Sequence, residues 1–180
     1  MQFGNKIVAL LGRRGVGKSN HAISFLYYYY QQGRTIYSNI WLSFPYKKLE
    51  LEMIKTLPEE LNDSVIFIDE IHMWADAYKF FSKNSRSLST LATQLRKRNI
   101  TLIFTTQFLT QTVKRLRDQV DYLLLLEKYK PYDPSYNGWA KVVVLDATAP
   151  SGRDYLDEYI FDGRAYFNMY NTNEIVLDEN

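Results

Sequence analysis

Gly12-Arg13-Arg14-Gly15-Val16-Gly17-Lys18-Ser19 satisfies the pattern G-x-x-x-x-G-K-[ST] at every fixed position, and no other stretch constrains the fold as strongly. Such a loop cradles phosphate only between a strand and a helix. Lys6–Leu11, a short apolar and partly β-branched run, supplies the strand, and Asn20–Gln32 reads as the helix, with Gly33 as its stop. Glycines let successive backbone N–H groups converge on phosphate oxygens, and the helix N-terminus adds partial positive charge. Lys18 is expected to reach the terminal phosphates as a point charge, and the Ser19 hydroxyl to ligate Mg²⁺. The expected nucleotide contacts are Gly12, Arg13, Arg14, Gly15, Val16, Gly17, Lys18, Ser19 and Asn20. The Arg13-Arg14 pair is unusual inside such a loop, and is read as touching phosphate or an adjacent subunit.

A second signal follows about fifty residues on. Val65-Ile66-Phe67-Ile68 is an apolar run of the kind a buried parallel strand carries, and it ends in Asp69-Glu70. Ligands of open α/β sheets bind at the C-terminal ends of strands, so Asp69 is expected beside Ser19 as the second Mg²⁺ ligand. Glu70, one residue on, is placed to polarise an attacking water, which favours hydrolysis over transfer to a small acceptor. Ile100–Thr106 reads as a further strand ending at Gln107. That amide is either a sensor of the attacking water or terminal phosphate, or an ordinary strand-end residue. Arg34–Leu42 and Gln119–Leu126 read as strands, and Trp139–Leu145 as an antiparallel edge hairpin partner. Phe80–Ser85 and Lys130–Asn137 read as loops, and Arg86–Arg98 and Thr110–Arg117 as helices. Asp154–Phe161 reads as a short helix, and Arg164–Met169 with Glu174–Leu177 as a closing strand pair. The helix-borne His21 is expected to be solvated. The run Tyr27-Tyr28-Tyr29-Tyr30 is expected to pack rather than to stack on bases.

Bulk properties set outer limits. At 180 residues the chain suits one domain, a core over about 6–126 with a C-terminal strand extension over about 127–180. The net charge of +2 from 22 basic and 20 acidic residues leaves any nucleic-acid contact to a local patch. Without cysteine there is no disulfide, thiolate zinc site or cysteine nucleophile. Neither a leader pattern nor an apolar run of about 20 residues is present, so a cytoplasmic protein is expected, which for a viral protein means the host cytoplasm or the virion.

The order of these signals, phosphate loop, apolar-Asp69-Glu70, a helix ending in Arg96-Lys97-Arg98-Asn99, then a strand ending in Thr105-Thr106-Gln107, resembles the FtsK–HerA superfamily of P-loop ATPases. The likeness is to its viral genome-packaging members and to the zonula occludens toxin-like phage-assembly ATPases. It implies a three-layer α/β P-loop NTPase with a mostly parallel central sheet and an antiparallel C-terminal edge. It also implies ATP with Mg²⁺ as cofactors, Glu70 as catalytic base and Gln107 as sensor. The partners implied are double-stranded DNA, capsid or membrane-associated assembly components, and further copies in a homo-oligomeric ring, a hexamer being the expected size. Arg96 or Arg98 then corresponds to an arginine that completes the neighbour's site. Apart from the resemblance, these basic residues suit a helix C-terminus electrostatically. A nucleoside or nucleotide kinase, or an assembly component that binds ATP without turnover, remains open as an alternative.

Overall fold

The computed structural model describes residues 3–73, 92–108, 110, 114–129, 138–150 and 152–171. In chain order the elements are β1 (Ile7–Leu11), α1 (Lys18–Gln31), β2 (Ile36–Ser38), β3 (Trp41–Leu42), β4 (Lys47–Lys48), α2 (Leu51–Thr56) and β5 (Val65–Ile68). A helical segment over 92–97 follows, then β6 (Thr101–Thr106), α3 (Lys114–Arg117), β7 (Tyr122–Lys128), β8 (Trp139–Asp146), β9 (Asp154–Asp162) and β10 (Tyr170–Asn171). The loops expected at Phe80–Ser85 and Lys130–Asn137, the first half of the Arg86–Arg98 helix and the Glu174–Leu177 strand lie outside the described residues.

Eight strands form one sheet in the order β4-β2-β5-β6-β1-β7-β8-β9. From β4 to β7 every pairing is parallel, and β7-β8-β9 closes the sheet as an antiparallel meander. The apolar runs explain the parallel centre, because a strand covered on both faces needs apolar side chains at odd and even positions alike. In β1, Val8 and Leu10 pack with Ala22, Ile23 and Leu26 of α1 on one face. Ile7 and Ala9 pack on the other with Ile66, Phe104, Leu123 and Leu95. The result is the three-layer α/β arrangement the sequence predicts.

Three local expectations are corrected. The Arg34–Leu42 strand is two strands in different sheets, because the Ser38 hydroxyl accepts from Ile40 N (3.1 Å) and donates to Ile40 O (2.9 Å), turning the chain. β2 joins the main sheet, whereas β3 pairs with β10 in a separate antiparallel ribbon. Asp154–Phe161 is no helix but belongs to β9, whose antiparallel register with β8 sets Tyr159 opposite Val142 and Phe161 opposite Ala140. Both aromatic rings then lie against the α1 side of the core, a gain that an isolated helix of this length could not match. Arg164–Tyr166 is a 3₁₀ turn, and among the described residues beyond it Tyr170–Asn171 pairs as a strand.

His21 is buried rather than solvated, at 2% exposure. Its Nε2 lies 2.8 Å from the Tyr159 hydroxyl and Nδ1 lies 3.3 Å from Ser24 Oγ, with Phe25 and Phe161 against the ring. Burial among these rings lowers its pKa to about 3. Above pH 6.5 the ring is neutral folded or unfolded, so titration costs nothing. Between pH 6.5 and about 3 the unfolded chain takes up a proton that the folded chain refuses, and stability falls with falling pH by up to about 1.4 kcal/mol per unit. The urea midpoint should therefore drop between about pH 7 and about pH 5, and drop less in His21→Gln; equal slopes would remove His21 as the source.

Candidate nucleotide site

β1 delivers the chain at Leu11 into a loop that closes on α1. Gly17, at φ +94°, occupies the N-cap position in a left-handed conformation that side-chain-bearing residues resist. Gly12 is required for space: a Cβ there would lie 2.5 Å from Leu126 O and 2.8 Å from Val16 Cγ2. The first turn of α1 carries no side-chain cap and no acidic residue, so its N–H groups are open to an anion.

Lys18, Ser19, Asp69, Glu70 and Gln107 all line one cavity of about 430 Å³ at the C-terminal ends of the parallel strands, together with Arg14, Gly15, Gly17, Met73 and Tyr170. Ser19 Oγ donates to Asp69 Oδ1 at 2.7 Å, and Thr105 Oγ1 donates to the same oxygen at 2.8 Å. Asn39 grips the Asp69 backbone from both sides, its Nδ2 donating to Asp69 O at 3.2 Å and its Oδ1 accepting from Asp69 N at 2.8 Å. Burial pushes the Asp69 carboxyl above its usual pKa, against the two hydroxyl donors that favour the ionised form. Two hard oxygen ligands, one hydroxyl and one carboxylate, fit Mg²⁺, which keeps most of its shell for water and phosphate. Among the described residues no cluster of three or more His, Cys, Asp or Glu offers a cage for another metal.

Glu70 takes a left-handed backbone, φ +45°, unusual for a residue with a side chain and worth on the order of 1 kcal/mol of strain. It is held there by Glu70 N donating to Thr105 Oγ1 at 2.7 Å and Met73 N donating to Glu70 O at 2.7 Å. Thr105 thus bridges the two acidic residues. The turn brings Glu70 Oε1 to 3.3 Å from Lys18 Nζ, whose other contact is Arg13 O at 3.3 Å. His72 Nδ1 lies 3.3 Å from Glu70 Oε2 but without hydrogen-bond alignment.

The other predicted residues are distributed as follows. Arg13 and Val16 line a neighbouring cavity of about 500 Å³ with Gly12, Leu126, Glu127 and Lys128; Gln107 is common to both cavities. The Asn20 side chain turns away from the phosphate pocket, its Nδ2 donating to Gly163 O at 2.7 Å. Arg96 and Arg98 lie at the opposite, N-terminal ends of the strands. Arg96 Nη2 bonds both oxygens of buried Asp121, at 3.1 and 3.2 Å, and Asp121 Oδ2 accepts from Ile7 N at 2.8 Å. Five residues of β1, at about 3.3 Å each, separate that end from the loop. Arg98 donates to Leu57 O. Asn39 and Thr105, which hold Asp69 and Glu70, and Tyr170, which lines the pocket, are not among the predicted residues. Each arrives through long-range pairing, and only the position of Thr105 in a strand ending at the pocket gave any signal.

Comparisons with solved structures agree with this fold. The N-terminal domain of zonular occludens toxin from Neisseria meningitidis is 17% identical over 92% of this chain and 98% of its own, with a TM-score of 0.64. The genome packaging NTPase B204 of Sulfolobus turreted icosahedral virus 2, in complex with AMPPCP, is 16% identical over 86% and 96%, with a TM-score of 0.58. B204, the DNA-packaging ATPase from Sulfolobus turreted icosahedral virus, is 16% identical over 87% and 96%, with a TM-score of 0.54. At these identities the likeness is one of fold, and it falls on the kinds of protein that the sequence resembles. No curated protein sequence matches the chain. No helix among the described residues is long and apolar enough to cross a membrane. The family model described as "AAA domain" matches residues 4–118, a span that carries the phosphate loop, Asp69, Glu70 and Gln107. This chain belongs to the AAA domain family.

Proposed function

We propose that this protein hydrolyses ATP with Mg²⁺ and uses the energy to move double-stranded DNA through a ring of its own copies, as a viral genome-packaging motor. The observation that carries the hydrolysis is the convergence of Lys18, Ser19, Asp69 and Glu70 in one pocket. Mg²⁺, held by Ser19 and Asp69, would neutralise charge on the terminal phosphates. Lys18 leaves Glu70 to meet the phosphate, which frees the Glu70 carboxylate to orient water and accept its proton. The bond from the terminal phosphorus to the bridging oxygen breaks as the bond to the water oxygen forms, and ADP and phosphate depart. Gln107, in the lining of the pocket, hydrogen-bonds the water or the terminal phosphate.

The likeness to the packaging NTPase B204 supports the DNA role, and the fuller coverage of the zonular occludens toxin domain favours a second reading, an ATPase of phage assembly working with capsid or membrane-associated components. In a hexameric ring, Arg96 or Arg98 is assigned to the neighbour's site, each giving up Asp121 or Leu57 O to reach it. The test is ATPase rate against protein concentration, with and without DNA. A superlinear rise as rings form, and stimulation by DNA that fades steeply with salt, are expected. A rate strictly proportional to concentration and indifferent to DNA would leave an ATPase that is no DNA motor.

A further inference from the structure

The chain beyond β9 returns to the phosphate pocket along a defined route. Gly163 N donates to Gly138 O at 3.1 Å, and Gly163 O accepts from Asn20 in the first turn of α1. The approach is so close that a Cβ on Gly163 would overlap Asn20 Nδ2. After the 3₁₀ turn, Ser43 N donates to Met169 O at 2.9 Å, and β10 pairs with β3 so that Tyr170 stands opposite Leu42 and Asn171 opposite Trp41. These backbone contacts set Tyr170 in the wall of the pocket formed by Lys18, Ser19, Asp69, Glu70 and Gln107.

The Tyr170 side chain is half-buried there, yet among the described residues its hydroxyl has no hydrogen-bond partner. Asp69 Oδ1, in the same pocket, accepts from Ser19 and Thr105 and not from Tyr170. Tyr37, by contrast, shows what a phenol buried for packing does in this protein: its hydroxyl donates to Glu60 O at 3.0 Å. A phenol held by the backbone in a polar pocket, with its donor unused, suits a ligand that brings an acceptor.

We infer that Tyr170 is a contact residue for the terminal phosphate, its hydroxyl donating a hydrogen bond to a phosphate oxygen that ATP carries and ADP lacks. The inference rests on the reading that this pocket takes ATP. It makes the C-terminal arm part of the active site and gives the arm a means to register the nucleotide state, because the bond exists only while the terminal phosphate is present. A phenol adds a donor without adding charge to a pocket already holding Lys18.

Displacement of a fluorescent ADP analogue by AMPPCP and by ADP, each with Mg²⁺, tests this. In Tyr170→Phe, AMPPCP should bind about tenfold more weakly or worse while ADP binds as before, since a hydrogen bond to a charged group is lost and the ring is kept. Tyr170→Leu, which loses the ring as well, is the packing control. Loss of AMPPCP preference in both variants assigns the effect to the hydroxyl. An unchanged AMPPCP-to-ADP ratio in Tyr170→Phe, with loss in Tyr170→Leu alone, overturns the assignment but leaves the nucleotide reading standing. Failure of the parent protein to bind either nucleotide overturns both.

Discussion

Glu70→Gln should bind ATP as the parent does and hydrolyse it about 10²–10⁴-fold more slowly, the usual span for removing a general base. Glutamine keeps the volume and the polar tip, and the left-handed turn at residue 70 is set by backbone bonds to Thr105 Oγ1 and from Met73 N, which the substitution does not touch. What it removes is the proton acceptor and the ionic contact 3.3 Å from Lys18. Nucleotide affinity and turnover measured on one preparation separate the two effects. Normal turnover would remove Glu70 from the mechanism.

Lys18→Ala is expected to lose both binding and turnover. Lys18 is 5% exposed, and its ammonium sits between Glu70 and Arg13 O at the floor of the phosphate loop. Its removal deletes the point charge meant for the phosphates and strands a mostly buried carboxylate, a loss that in buried pairs costs about 3–5 kcal/mol. Glu70 keeps some solvent contact, so the lower end applies. Stability and binding are separable here. Adding Glu70→Gln to Lys18→Ala should recover thermal stability without recovering ATP binding; recovery of binding would show that Lys18 serves Glu70 rather than phosphate.

The parts of this site legible in the sequence are those encoded within a few residues. The phosphate loop carries its own geometry in its glycines, and the apolar run before Asp69 declares both strand and burial, so the meeting of Ser19 with Asp69 followed from topology alone. Glu70 lines the pocket at the end of that run, but its left-handed backbone cannot be read from the sequence, because its cause is a threonine 35 residues away. Asn39, 30 residues from the aspartate it clamps, was invisible for the same reason. Arg96 and Arg98 show the converse. Their position before the strand that ends at Gln107 is a sequence fact, yet which partners hold them depends on Asp121 and Leu57, which only the fold brings near. β9 was misread because its reward lies in β8 and the α1 face, not in its own periodicity.

The β7-β8-β9 meander also decides where the chain can be cut. Residues 4–118 match the family model, but the α1 face is completed by Leu124 and Leu126 of β7 and by Ala140, Val142 and Val144 of β8. A fragment ending near residue 118 would leave β1 as a bare sheet margin, with unpaired amides and carbonyls ready to template fibres or off-pathway dimers. The smallest piece that behaves as a protein therefore runs well past residue 118, and expression boundaries drawn at the family limits should yield inclusion bodies rather than folded protein.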